Sequence, residues 1–287
     1  MPPTDFAPVT SAAGLPRVEL VAGDGARAEV YLHGAHVASW TPAGGGGERL
    51  FLSAHSRFGP GEAIRGGIPV CFPQFAAQGP LPNHGFARVS VWELAEAQRT
   101  GTGAARALLR LADSPATRAQ WPHPFALELA VSVTGRMLEL GLAVINTGTK
   151  AFEFTGALHT YLRVADVRRA VIRGLRNVRY RDKALGTDGS LETAPALAID
   201  REIDRVYYAA PADLAAVEPG RTVAVRATGF PDTVVWNPGP ERGATLDDLE
   251  PDGYLRMLCI EAAVSRGPAT VAPGARWTGS QTLIARQ

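Results

Sequence analysis

Strict alternation of apolar and polar side chains runs through much of the chain. In FALELAVSV, Phe125, Leu127, Leu129, Val131 and Val133 share one face, and after Thr134-Gly135-Arg136 the residues Leu138, Leu140, Leu142 and Val144 do the same. A period of two is that of a half-buried strand, and the glycine-containing break between the two runs predicts a hairpin. Similar runs recur in ARAEVYLHGAHVASW, ARVSVWELAEA, ARALLRLAD, EFTGALHTYLRV, RTVAVRAT, DTVVWNP, YLRMLCIEAAV and GSQTLIAR, with Gly, Pro, Asp and Asn between them. Helical periodicity is nearly absent. More than seven short strands with turn residues between them predict one large all-β domain spanning residues 1–287, a sandwich or barrel. The glycine-rich stretches 44–47 and 100–103 read as loop tips, because alternation resumes after each. Residues 1–15 read as a flexible N-terminal tail.

Composition narrows the partners. Lys and Arg number 29 against 28 Asp and Glu, a net charge of +1, with no basic block or acidic tail to draw in nucleic acid or a membrane surface. A small-molecule partner and a monomer are expected. The opening MPPTDFAPVTSAAGLP lacks a basic n-region and an apolar h-region, and no stretch is apolar enough to span a bilayer. Two cysteines, Cys71 and Cys259, read as free buried thiols in a chain too large to need staples. Together these features predict a cytoplasmic protein.

Few residues stand out chemically. In FEFTGALHTYLRV, Phe152, Phe154, Leu158, Leu162 and Val164 form the apolar face, so His159 points the other way with Tyr161 and Arg163. A lone histidine on a strand is commonly structural. Glu261 is odder: in YLRMLCIEAAV both faces are largely apolar, so its carboxylate requires either a buried arginine partner or an acid–base role. Asp204 lies in DREIDRVY and Asp248 in DDLE, runs whose charge density suggests solvated loops. His33 and His36, three apart on a strand, point to opposite faces and predict no metal site. Neither cysteine has a neighbour that would lower its thiol pKa, which argues against a nucleophile.

Eight phrases in order carry a resemblance: Glu48-Arg49-Leu50-Phe51-Leu52-Ser53, Ile64-Arg65-Gly66-Gly67-Ile68-Pro69, Phe72-Pro73-Gln74-Phe75, His84-Gly85-Phe86-Ala87-Arg88, Leu158-His159-Thr160-Tyr161, Asp204-Arg205-Val206-Tyr207, Val235-Trp236-Asn237-Pro238 and Cys259-Ile260-Glu261-Ala262. With them the chain resembles the hexose-6-phosphate mutarotases, or glucose-6-phosphate 1-epimerases, of the aldose 1-epimerase superfamily. The resemblance implies a galactose-mutarotase-like β-supersandwich that interconverts the anomers of hexose 6-phosphates. It implies His159 and Glu261 as the catalytic pair, and Arg65, Gln74, His84, Arg88 and Asp204 as substrate contacts, with Arg65 and Arg88 on the phosphate. Ala76 departs from the glycine often found there.

Ring opening removes a proton from the anomeric hydroxyl and adds one to the ring oxygen, so one base and one acid suffice, without metal or nucleotide. Glu261 would be the base and a cationic His159 the acid, each favouring the other's charge. Arg88, four residues from His84, would share its face if that stretch is extended. The alternatives are a catalytically silent sugar-binding sandwich, an epimerase of free aldoses, and a glycoside hydrolase pairing Asp204 with Glu261.

Overall fold

The alternating runs pair edge to edge. In the computed structural model, which describes residues 5–209 and 211–286, Phe125–Thr134 and Met137–Asn146 form the expected hairpin, with Thr134 opposite Met137. Phe125, Leu127, Leu129, Val131 and Val133 are fully buried, and the residues between them are half-exposed.

This hairpin belongs to a nine-stranded antiparallel sheet running from Glu93–Arg99 at one edge to Ala196–Ala198 at the other. An eight-stranded sheet contains, in spatial order, Thr187–Leu191, Arg179–Asp182, Ile203–Tyr208, Asp232–Asn237, Met257–Val271, Phe152–Leu158 and Val70–Cys71, with Tyr161–Arg163 also paired to Met257–Val271. A four-stranded sheet collects Val9–Thr10, Pro16–Val21, Arg27–Tyr31 and His36–Thr41. The two α-helices among the described residues, Pro115–Gln120 and Gly239–Gly243, are short, and no described helix is long and apolar enough to cross a membrane. One continuous apolar core draws on all three sheets, from Val18 through Leu129 and Leu158 to Leu283. The all-β sandwich expected from the alternation is the observed architecture.

One local expectation is corrected. ARVSVWELAEA is not extended from its start: Ala87–Val89 is a 3-10 turn and the strand begins at Glu93. Backbone bonds from Phe86 and Ala87 to the Phe72 carbonyl, 3.0 and 3.1 Å, pin the segment down, and the Trp92 indole caps the Ala87 carbonyl at 2.9 Å. Of the stretch read as a flexible tail, residues 1–4 lie outside the described residues. The Asp5 amide donates to the Ala97 carbonyl at 2.8 Å, its carboxylate accepts from the Arg99 amide at 2.7 Å, and Val9–Thr10 joins a sheet.

For the site, the decisive element is Met257–Val271. It has partners on both sides, and its residues 257–265 are all buried, as expected of a strand apolar on both faces. Behind it, Gln281 of the nine-stranded sheet donates to the Ile260 carbonyl at 3.0 Å and accepts from the Thr160 hydroxyl. This buried polar link ties the two large sheets together beneath residues 159–161.

Candidate functional site

Register brings His159 and Glu261 together. Leu158 pairs with Ala262 and Tyr161 with Cys259, so the residues between them stand opposite one another and His159 faces Glu261 across the interruption from Leu158 to Tyr161. Directly opposed side chains on one face lie close enough to interact, and His159 Nε2 is 3.5 Å from Glu261 Oε1. Ladder pairing extends that face sideways: Asp204 pairs with Trp236 and Trp236 with Cys259, while Val206 pairs with Val234 and Val234 with Glu261. Asp204, Trp236, Cys259, Tyr161, Glu261 and His159 therefore occupy one surface of the eight-stranded sheet.

Aromatic rings wall the histidine in. Tyr161 stacks on His159 at 4.7 Å and 9°, and Trp236 meets both rings edge-on at 5.9 and 6.0 Å. The side chains of the pair are 8% and 1% exposed. Such burial favours uncharged forms: it pushes the Glu261 carboxyl well above the usual carboxylate range and, with the charges of Arg65 and Arg88, holds His159 well below the ordinary imidazole value. The expectation that each member simply stabilises the other's charge is thus incomplete, because desolvation opposes their attraction. His159 Nδ1 and Glu261 Oε2 have no hydrogen-bond partner among the described residues.

The loops bring in the other predicted residues. Gly66 and Gly67 adopt φ of +111° and +59°, and a Cβ on them would lie 2.3 Å from the Phe51 carbonyl oxygen and 2.4 Å from both the Val37 carbonyl oxygen and His36 Nε2. The double glycine thus lets the Arg65 loop lie against the neighbouring backbone. Arg65 grips Asp248 bidentately, Nε to Oδ1 and Nη2 to Oδ2 both at 3.0 Å, and its Nη1 donates to the Tyr161 hydroxyl at 3.0 Å. Much of its charge is therefore spent internally. Arg88 differs: its Nη2 donates to the Asn83 carbonyl at 2.8 Å, its Nε has no partner, and no carboxylate pairs with it among the described residues. It sits on the 3-10 turn, so a shared strand face with His84 is not what relates them. Its charge nevertheless acts on both His84 and His159.

His84 has φ +66° and lies edge-on to His159 at 5.2 Å. Its Nδ1 accepts from the Ala76 amide at 3.2 Å, which leaves Nε2 to carry the proton. Burial with nearby Arg88 and Lys183 lowers its pKa to about 3, so it is a neutral donor. Gln74, expected on the sugar, is spent on its own loop: Nε2 donates to the Ala76 and Leu81 carbonyls at 2.8 and 3.1 Å, and Oε1 accepts from the Leu81 amide at 3.0 Å. Asp204 reaches the face and pairs with Lys183 at 3.4 Å.

Tyr161, Trp236, Lys183 and Asp248 were not singled out in the sequence as site residues. Tyr161 and Trp236 lay inside the quoted phrases. Asp248 meets Arg65 across 183 positions, which no local pattern reveals. Ligand atoms of His159, Cys259 and Glu261 lie within 4.8 Å of one another, a cluster of metal-ligating types that spacing alone did not suggest. A dication there would require a thiolate, whereas burial raises the Cys259 thiol well above its usual value, and the charges of Arg65 and Lys183 act on the same place. A groove of about 930 Å³ lined by Asn83, Arg88, Arg110 and Glu128 includes neither His159 nor Glu261.

The chain is similar to known proteins over nearly its whole length. The aldose 1-epimerase family profile matches residues 16–283. A protein of Cenchrus ciliaris named "Putative glucose-6-phosphate 1-epimerase" is 36% identical over 99% of this chain and 89% of its own. One of the same name from Escherichia coli is 37% identical over 90% and 87%. The crystal structure of a "putative mutarotase" from Salmonella typhimurium superposes with TM-score 0.90 at 30% identity, covering 98% of this chain and 94% of that one. Galactose 1-epimerase of Lactobacillus acidophilus, 14% identical, shares the fold at TM-score 0.73 over 100% and 99%.

Proposed function

Because the chain belongs to the aldose 1-epimerase family, we propose that it interconverts the α and β anomers of a hexose 6-phosphate, glucose 6-phosphate foremost, with His159 and Glu261 as acid and base. The observation that carries this reading is the opposition of His159 Nε2 and Glu261 Oε1 at 3.5 Å on a buried, aromatic-walled face. The names of the relatives from Cenchrus ciliaris and Escherichia coli support glucose 6-phosphate as substrate.

In this scheme Glu261 takes the proton from the anomeric hydroxyl, the bond from C1 to the ring oxygen breaks, and His159 delivers a proton to that oxygen. The product is the open-chain aldehyde. Rotation about C1–C2 presents the other face of the carbonyl. The 5-hydroxyl then adds to C1 while His159 takes its proton and Glu261 returns one to the new anomeric oxygen, restoring both groups. His84, a neutral donor beside His159, serves a sugar oxygen, and Asp204 accepts from a hydroxyl. Arg88, a cation without a carboxylate partner among the described residues, is assigned to phosphate. Arg65, held by Asp248, is assigned first to bracing Tyr161 and only second to the ligand. A carboxylate pair for glycoside cleavage fits less well: Asp204 is bound to Lys183 and the Asp232–Asn237 strand intervenes, whereas an imidazole stands directly against Glu261.

Proton exchange spectroscopy on glucose 6-phosphate tests the reading. Exchange between the anomeric signals should rise above the uncatalysed rate in proportion to protein. Exchange unchanged by protein would refute it.

A further inference from the structure

A continuous series of side-chain contacts runs along one side of the site from Asp204 to Glu261. Lys183 pairs with Asp204 at 3.4 Å and lies over the Phe75 ring at 5.1 Å. Phe75 meets His84 at 5.3 Å, His84 meets His159 at 5.2 Å, and His159 meets Glu261 at 3.5 Å. Phe75 also packs with Val206 and Val234, the two residues aligned with Glu261 across the sheet. The Lys183 ammonium is therefore held on the Glu261 side of the face, between an anion and a ring. Only two of the chain's 29 Lys and Arg residues are lysines, Lys150 and Lys183, so this position carries a compact ammonium in a protein that otherwise uses guanidinium.

Resting on the acid–base reading above, we propose that Lys183 is a positioning residue of this centre, its ammonium serving as the counter-charge that keeps Glu261 in the form of a base. Of the two members of the buried pair, either could hold the proton. A cation on the carboxylate's side of the face, paired with Asp204 and seated over Phe75, selects the arrangement with Glu261 ionised and His159 protonated. The titratable and charged groups around the pair are Tyr161 from the neighbouring strand region, Cys259 on the strand of Glu261, Cys71 from the sheet edge, Asp204 from Ile203–Tyr208, and Lys183, with Arg65, Arg88 and His84 on the loops acting on His159. Among the charges acting on Glu261, Lys183 favours ionisation and Asp204 opposes it. The two members of one ion pair should therefore move Glu261 in opposite directions, which a merely structural pair would not do.

The experiment follows the Glu261 carboxyl by carbon-13 titration, assigned through Glu261→Gln, alongside the pH profile of kcat/KM for anomer exchange. Lys183→Met should move both the titration and the acidic limb of the profile to higher pH by about one unit or more. Lys183→Arg should return them toward wild type, and Asp204→Asn should shift them to lower pH. Should Lys183→Met fail to fold, acetylation of native Lys150→Arg protein removes the same charge from the folded chain, since Lys183 is 26% exposed. A carboxyl titration unmoved by loss of the ammonium overturns the proposal whatever the activity. The titration needs no turnover, so failure of the wild type to exchange anomers would count against the proposed function alone.

Discussion

At the scale of single residues, Glu261 sets chemistry against stability. A carboxyl whose pKa is raised by burial holds its proton in the folded state where the unfolded chain has released it. Its favourable contribution is therefore complete at low pH and lost as pH rises from the usual carboxylate range through the folded value. Glu261→Gln should raise the melting temperature at neutral pH, by an increment that grows as pH rises above about 4.5, while turnover falls about 10²–10⁴-fold. His159→Ala should lose turnover similarly without unfolding. Melting curves across pH, with exchange rates, check both, and a Glu261→Gln protein that is less stable at pH 8 than wild type would contradict the desolvation account. This residue was legible in the sequence, because an acid amid LCI and AAV has no solvent to face. Its pairing with His159 came through the resemblance and not from the pattern, since their opposition depends on a register set by residues about a hundred positions apart.

At the scale of elements, strands and loops differ in how well they could be read. The hairpin at 125–146 follows from alternation and one glycine, and the buried Met257–Val271 strand follows from its apolar faces. The turn at Ala87–Val89 does not, because the bonds that hold it come from Phe72. The difference between the two loop arginines is likewise tertiary. Arg88→Ala should weaken kcat/KM for hexose 6-phosphate by about 10–150-fold, the equivalent of about 1.5–3 kcal/mol, with little change on free hexose. Arg65→Ala should harm both substrates alike and lower kcat, because it frees Asp248 and the Tyr161 ring stacked on His159. Kinetics on the two sugars separate the roles; a phosphate-selective loss in Arg65→Ala would reverse the assignment.

The whole molecule inherits a weakness toward acid from histidines buried as neutral rings. His36 and His84 both lie at about 3, through desolvation first and neighbouring cationic groups second. With folded values below the unfolded 6.5, stability is complete above that value and lost as pH falls from 6.5 toward 3. By pH 5 the loss should be about 2 kcal/mol for each of the two. Urea midpoints at pH 7 and pH 5 measure it, in a window where most carboxylates remain ionised, and His36→Gln should flatten the dependence. A pH dependence in His36→Gln as steep as in wild type would show that this ring reaches solvent.

The placement of the reacting pair on paired strands and of the cations on loops has an evolutionary consequence. Arg65 and Arg88 lie on connections that can change length and sequence while the ladders beneath keep their register. Sugar preference can drift among descendants of such a chain without disturbing the opposition of His159 and Glu261. The chemistry is inherited with the sheet, and the diet with the loops.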